Sequence, residues 1–221
     1  MNINLDPQSI SDFVFKSPRE QLLVQSIVDG RRPFPQSGKN GILLYGTWGT
    51  GKSALAKLLP SAIEAGKGSE LLYSKHYKIQ AGGNNGVNIL AAIGNNSNVI
   101  SSNDSGYHYF VLDEVDRLSD VAMSSLKVLM DKRETIFVMA TNSIDKIDGG
   151  VKSRCHLVEF NAAPSAAWLP LAHRILAKYG VDNAQIDAEL IAAIDCCNGS
   201  AREVVDLCIE IAINRQMKIA A

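Results

Sequence analysis

Residues Gly46-Thr47-Trp48-Gly49-Thr50-Gly51-Lys52-Ser53 fit the pattern G-x-x-x-x-G-K-[ST] and run directly into Ala54-Leu55-Ala56-Lys57-Leu58-Leu59, an apolar stretch with helical spacing. Glycines at these positions let the backbone turn so that several N–H groups converge on phosphate oxygens at a helix N-terminus, where unpaired amides and the dipole both favour anions. Lys52 would neutralise the outer phosphates, and Ser53 would offer a hydroxyl to magnesium, which prefers oxygen ligands. Trp48, at the tip of the loop, would pack against a neighbouring subunit or the small domain, or close over the loop as a local lid. A second group of polar residues follows apolar runs. Tyr109 to Leu112 ends in Asp113-Glu114, and Ile136 to Ala140 ends in Thr141-Asn142. Asp113 could hold magnesium through water, and Glu114 could accept a proton from a water attacking the γ-phosphate. Asn142 could orient that water or touch the γ-phosphate, although an asparagine after a strand is also an ordinary turn former. Together these residues predict a site for ATP and Mg2+.

Positioning them requires strands that deliver the polar residues to one edge. Gly41 to Tyr45, Tyr109 to Leu112, Ile136 to Ala140 and His156 to Phe160 are apolar runs of strand length, and their near-continuous character predicts burial on both faces. A fifth strand is expected at Tyr77 to Gln80. Helical spacing at Ser53 to Ala65, Val87 to Ile93 and Ser119 to Lys132 alternates with the strands, which predicts an α/β fold with a parallel five-stranded sheet between helices. After Phe160 the strand pattern stops. Ser165 to Tyr179, Ala184 to Cys196 and Ser200 to Lys218 read as helices, separated by Gly180 to Asn183 and Asn198-Gly199. The expected organisation is a nucleotide-binding domain over residues 1–161 and a small all-helical lid domain over 162–221, hinged at Ala162-Ala163-Pro164.

Composition sets the surroundings. The 221 residues are 46% hydrophobic and 20% charged, ordinary for a globular chain, and 22 Lys and Arg against 23 Asp and Glu leave a net charge of −1. Any nucleic-acid contact must therefore come from a local patch, for which Lys75, His76 and Lys78, or Lys127, Lys132 and Arg133, are the candidates. Neither a signal peptide nor a membrane-length apolar run is visible, which predicts a soluble cytoplasmic protein without a membrane partner. Cys155, Cys196, Cys197 and Cys208 lack zinc-ligand spacing, and Cys196 and Cys208 read as small buried hydrophobes.

Taken together, these motifs resemble the AAA+ family, and within it the small-subunit clamp loaders of DNA replication. Phe110 to Ser119 is similar to the family's second Walker motif, and Phe137 to Asn142 to sensor 1. Ser153-Arg154-Cys155 resembles the Ser-Arg-Cys that clamp loaders carry before the last core strand, which implies that Arg154 is a finger for an adjacent subunit's site. A guanidinium suits that task because it spreads positive charge over γ-phosphate oxygens in the transition state. Gly199-Ser200-Ala201-Arg202 resembles sensor 2, which gives Arg202 a phosphate contact from the lid, with Ser200 capping the helix. Asp12-Phe13-Val14-Phe15 resembles the segment that cradles adenine through Phe13 and Val14; a core strand or turn is the alternative. The resemblance implies a ring or helical oligomer, pentameric or hexameric, with DNA and an unidentified protein as partners. Clamp-loader subunits continue into a helical collar, and the sequence to Ala221 is expected to lack it, so clamp loading by this chain alone is not expected. The resemblance implies an ATPase that hydrolyses ATP at subunit interfaces to remodel or load a protein on DNA, in DNA replication or mobile-element biology; an ATP-switched adaptor with slow turnover, such as a helicase loader or transposition regulator, is the alternative. A protein unfoldase is disfavoured, because Ala81 to Asn88 contains no aromatic residue to grip a polypeptide.

Overall fold

Five short strands form one sheet: β1 (Gly41–Tyr45), β2 (Ser74–Lys78), β3 (His108–Asp113), β4 (Thr135–Thr141) and β5 (Cys155–Glu159), in the order β2-β3-β4-β1-β5. Every neighbouring pair is parallel, with Gly41 beside Phe137 on one side and Cys155 on the other. The computed structural model describes residues 4–80, 85–181 and 186–220.

Alternation along the strands divides the core. Ile42, Leu44, Val111, Val138 and Val158 face α1 (Pro18–Val28) and α2 (Lys52–Gly66), whereas Leu43, Phe110, Leu112, Phe137 and Met139 face α3 (Asn85–Asn96), α4 (Asp120–Leu129) and α5 (Gly149–Ser153). Both faces are covered, which is why the strands read as unbroken apolar runs; burying each such side chain is worth about 1.5–3 kcal/mol. The C-terminal portion is helical: α6 (Leu169–Lys178), α7 (Asp187–Asp195) and α8 (Ala201–Ala220) bury Trp168, Ala172, Ile175, Leu190, Val204 and Cys208 in a third cluster.

The structure changes two expectations, adds a helix and settles one alternative. The fifth strand lies at Ser74–Lys78, not Tyr77 to Gln80. As an edge strand it pairs only with β3 and turns part of its surface to solvent, so its Ser-Lys-His stretch carries no apolar run to announce it. Helix α1 was not anticipated, although Ser17-Pro18 with Glu20, whose carboxylate the Ser17 hydroxyl reaches, is a helix-start signal. Cys196 is exposed at the end of α7, and Cys197 instead joins Cys208 in the helical core. Of strand or turn, the alternative given for Asp12 to Phe15, the chain takes a turn: a single 3-10 turn over Ile10–Asp12 precedes extended chain.

Candidate functional site

The C-terminal ends of β1, β3 and β4 open onto a cleft of about 660 Å³, lined by the glycine loop, by residues after β3 and β4, and by α6 and α8. The loop starts after Tyr45, and Gly51, at φ 103°, caps α2, so the first amides of that helix face the cleft. Its backbone follows a path that only glycine tolerates. Gly46 has φ 145°, and a Cβ there would stand 2.6 Å from both Asn161 Oδ1 and Phe160 O; at Gly49, φ 80°, it would stand 2.7 Å from Ser200 Oγ. Thr47 N donates to Asn161 Oδ1 at 2.9 Å, and Thr50 Oγ1 donates to Phe160 O at 2.8 Å and Thr47 O at 3.0 Å. Lys52 Nζ donates to Gly46 O at 3.0 Å and Thr47 O at 2.5 Å.

Burial lowers the Lys52 ammonium to about 8; Asp113 opposes the shift and Arg202 adds to it. A polyphosphate favours the charged ammonium, so binding takes up a proton wherever the free lysine is neutral. ATP affinity is therefore expected to be level below the free lysine's value of about 8 and to fall by up to about tenfold per pH unit above it. Equilibrium titrations on both sides of that value check this, and an affinity that rises with alkalinity would contradict it.

Ser53, Asp113, Glu114, Asn142 and Arg202 all line the same cleft, as do Phe13, Val14 and Trp48. Asp113 Oδ1 accepts from Glu114 N at 3.0 Å. Glu114 takes φ 59°, a left-handed conformation that costs a non-glycine residue on the order of 1 kcal/mol or more. Its carboxylate pairs with Arg117 at 2.8 Å and Lys78 at 3.1 Å. Thr141 Oγ1 donates to Asp116 Oδ1 at 2.6 Å, joining the end of β4 to the turn after β3. Phe13 is buried edge-on to Phe160, with ring centres 6.3 Å apart, and Val14 packs on the helical cluster. Trp48 is 80% exposed. The loop meets the C-terminal helices through Gly49 instead, whose carbonyl accepts from Ala201 N at 2.9 Å.

Arg154 is elsewhere. It precedes β5, where Cys155 pairs with Gly41 at the start of β1, while the glycine loop leaves the other end of β1. That separation is roughly 13 Å along the strand, at about 3.3 Å per residue. The guanidinium pairs with Asp131 at 2.8 Å and donates to Gly150 O at 3.0 Å. Cys155 beside it is a packing residue: a Cβ on Gly41 would lie 2.5 Å from its sulfur, and burial pushes its thiol up to about 12.

Three residues in or against the cleft had no motif to announce them. Lys78, expected only as part of a basic patch, sits at the end of the edge strand β2. Arg174 on α6 forms an ion pair with Asp12. Asn161 follows β5 and was placed at the domain boundary.

Residues 42–161, over half of the chain, match the model of the ATPase family associated with various cellular activities (AAA). The chain belongs to the AAA family. Among curated relatives, it is 21% identical to replication factor C small subunit 1 of Pyrobaculum arsenaticum over 169 residues, covering 75% of this chain and 50% of that protein. It is 34% identical to Arabidopsis thaliana replication factor C subunit 3 over 76 residues, 34% of this chain and 22% of that protein. The chain thus spans half the length or less of the curated relatives it matches. Among solved structures, Thermotoga maritima RuvB superposes with a TM-score of 0.66 at 15% identity, covering 93% of this chain and 64% of that one, which supports the fold. This AAA chain is accordingly related to replication factor C subunits.

Among the described residues, no helix is long and apolar enough to cross a membrane. The expected basic patches are largely engaged within the chain. Lys132 Nζ donates to Ser97 Oγ at 2.8 Å and Asn98 Oδ1 at 2.5 Å, Lys127 pairs with Asp148, and Lys75 donates to Asn96. Of Ala81 to Asn88, the segment without an aromatic residue, residues 81–84 lie outside the described residues.

Proposed function

We propose that this chain binds magnesium-ATP in the cleft and hydrolyses it in an oligomer, with Arg154 of one copy completing the site of the next. The observation that carries this reading is the convergence of Lys52, Ser53, Asp113, Glu114, Asn142 and Arg202 on one cleft while Arg154 stands at the opposite end of the sheet. The donor set suits magnesium: Ser53 offers a hydroxyl and Asp113 a carboxylate, both hard oxygen ligands. No cluster of three or more His, Cys, Asp or Glu that could cage a metal occurs among the described residues, so phosphate and water would supply the remaining positions. The ion, when bound, neutralises charge developing on the phosphates. Within the chain, the loop amides and Lys52 hold the phosphates, Glu114 takes a proton from the attacking water, Asn142 orients that water, and Arg202 approaches from α8. Phe13 and Val14 offer the apolar rim for adenine. Residues 1–161 would act as the nucleotide-binding unit and 162–221 as its lid. Relatedness to replication factor C subunits supports a role in remodelling or loading a protein on DNA. Titrating hydrolysis against protein concentration tests the shared site, since a strictly monomeric species that cleaves ATP at full rate contradicts it.

One observation favours a second reading, an ATP-switched adaptor with slow turnover. Glu114 is held by Lys78 and Arg117 and must exchange those partners to serve as a base. Lys78 is largely exposed, so its pair is worth up to about 1 kcal/mol. Lys78→Ala is expected to raise basal turnover by up to about fivefold, the same energy read as a rate. Steady-state assays of that variant, with and without single- or double-stranded DNA, separate the readings. Strong DNA stimulation of the native chain supports the motor, and ATP-dependent assembly with negligible turnover supports the switch.

A further inference from the structure

Asn161 receives no role from the motifs, yet the phosphate loop is built against it. Its side-chain oxygen accepts Thr47 N–H at 2.9 Å, and its side-chain nitrogen donates to Glu159 at 2.6 Å, which fixes the amide's orientation. Gly46 passes so close that an added Cβ would collide with the same oxygen. One residue earlier, Phe160 O accepts the Thr50 hydroxyl. One residue later, Ala162 is where a Cβ on Gly199 would land, 2.3 Å from the alanine's own Cβ, just ahead of the Ser200 and Ala201 that touch Gly49. Residues 160–162 thus hold the entrance of the loop, its far arm and the turn that starts α8.

We propose that Asn161 is a positioning residue for phosphate binding: its amide locks the first peptide of the glycine loop to the end of β5, and so sets where the later loop amides point. A backbone N–H pinned by a side chain is one bond, but a loop whose amides must converge on a single anion loses affinity when its anchor is free to move. The amide is needed in full, because it must donate to Glu159 and accept from Thr47 at once. The inference rests on the nucleotide-binding reading above.

The test compares mant-ADP and mant-ATP affinities with thermal unfolding for three forms of the whole chain. Asn161→Ala is expected to weaken both nucleotides by about tenfold, the value of one charge-independent hydrogen bond of about 1–1.5 kcal/mol, while its melting temperature stays within a few degrees of the native one. The swap E159Q with N161D reverses the donor and acceptor between the two side chains and keeps an acceptor for Thr47 N–H, so it is expected to restore affinity. Unchanged affinity in Asn161→Ala overturns the proposal, and so does a swap that folds but binds as poorly as Asn161→Ala. If Asn161→Ala unfolds, the swap and its N161D half alone decide, because N161D places two carboxylates together and is expected to bind worse than the swap. A native chain that binds neither nucleotide overturns the function itself, a result distinct from native binding that Asn161→Ala leaves untouched.

Discussion

Arg154→Ala is expected to lower ATP turnover by about 10³-fold, the scale on which a charge-stabilising arginine acts in phosphoryl transfer, while ATP affinity of the isolated subunit stays within about twofold. The asymmetry follows from position. Arg154 stands at the far end of the sheet from its own cleft, where its guanidinium pairs with Asp131. Its pair with Asp131 is partly exposed, so losing it costs the fold at most about 1 kcal/mol. Arg154→Lys is expected to recover little, because an ammonium lacks the planar fork that engages two oxygens at once. The decisive measurement mixes Arg154→Ala subunits with Lys52→Ala subunits. Each is expected to be inactive alone, whereas in the mixture a site with native Lys52 would meet a native Arg154 across the proposed interface. Recovered turnover at concentrations that permit assembly is the expected result; none at all would remove the shared site.

Glu114→Gln is expected to bind ATP as tightly as the native chain and to hydrolyse it at least about 10²-fold more slowly, the usual contribution of a positioned general base. The amide keeps the size of the carboxylate and gives up only its charge and basicity. Because Glu114 is held in a left-handed conformation and paired with Lys78 and Arg117, the substitution also releases those two cations. Single-turnover hydrolysis beside equilibrium binding separates the effects. Loss of binding would reassign Glu114 to holding the metal or the loop, and unaltered hydrolysis would remove it as the base.

Much of this site is legible in the chain because its parts are local. The glycine loop is a continuous segment whose residue types dictate its backbone, and Asp113, Glu114 and Asn142 directly follow apolar runs that could only be buried strands. Alternating strands and helices predict the parallel sheet, since parallel neighbours need a crossover between them. Contributors that arrive from a distance leave no such trace. Lys78 reads in sequence as part of a surface basic patch until β2 pairs with β3 and brings it to Glu114, and Arg174 is an ordinary lysine-or-arginine position on an amphipathic helix until Asp12 meets it. The basic residues expected to form patches turn inward or pair, because a cation near a helix C-terminus or a carboxylate finds a partner within the fold before any ligand arrives.

What the order of residues determined alone was the chemistry available: a phosphate loop, carboxylates after a strand and a family of AAA proteins. Tertiary structure decided which residues share a cleft and which stand apart, placing Arg202 with Lys52, and Arg154 at the opposite edge. It also clamped the loop through Asn161, a neighbour 114 residues away in sequence. The physical reason is that backbone conformation follows from short-range sterics and hydrogen bonding, whereas proximity between distant side chains exists only after the apolar faces have packed.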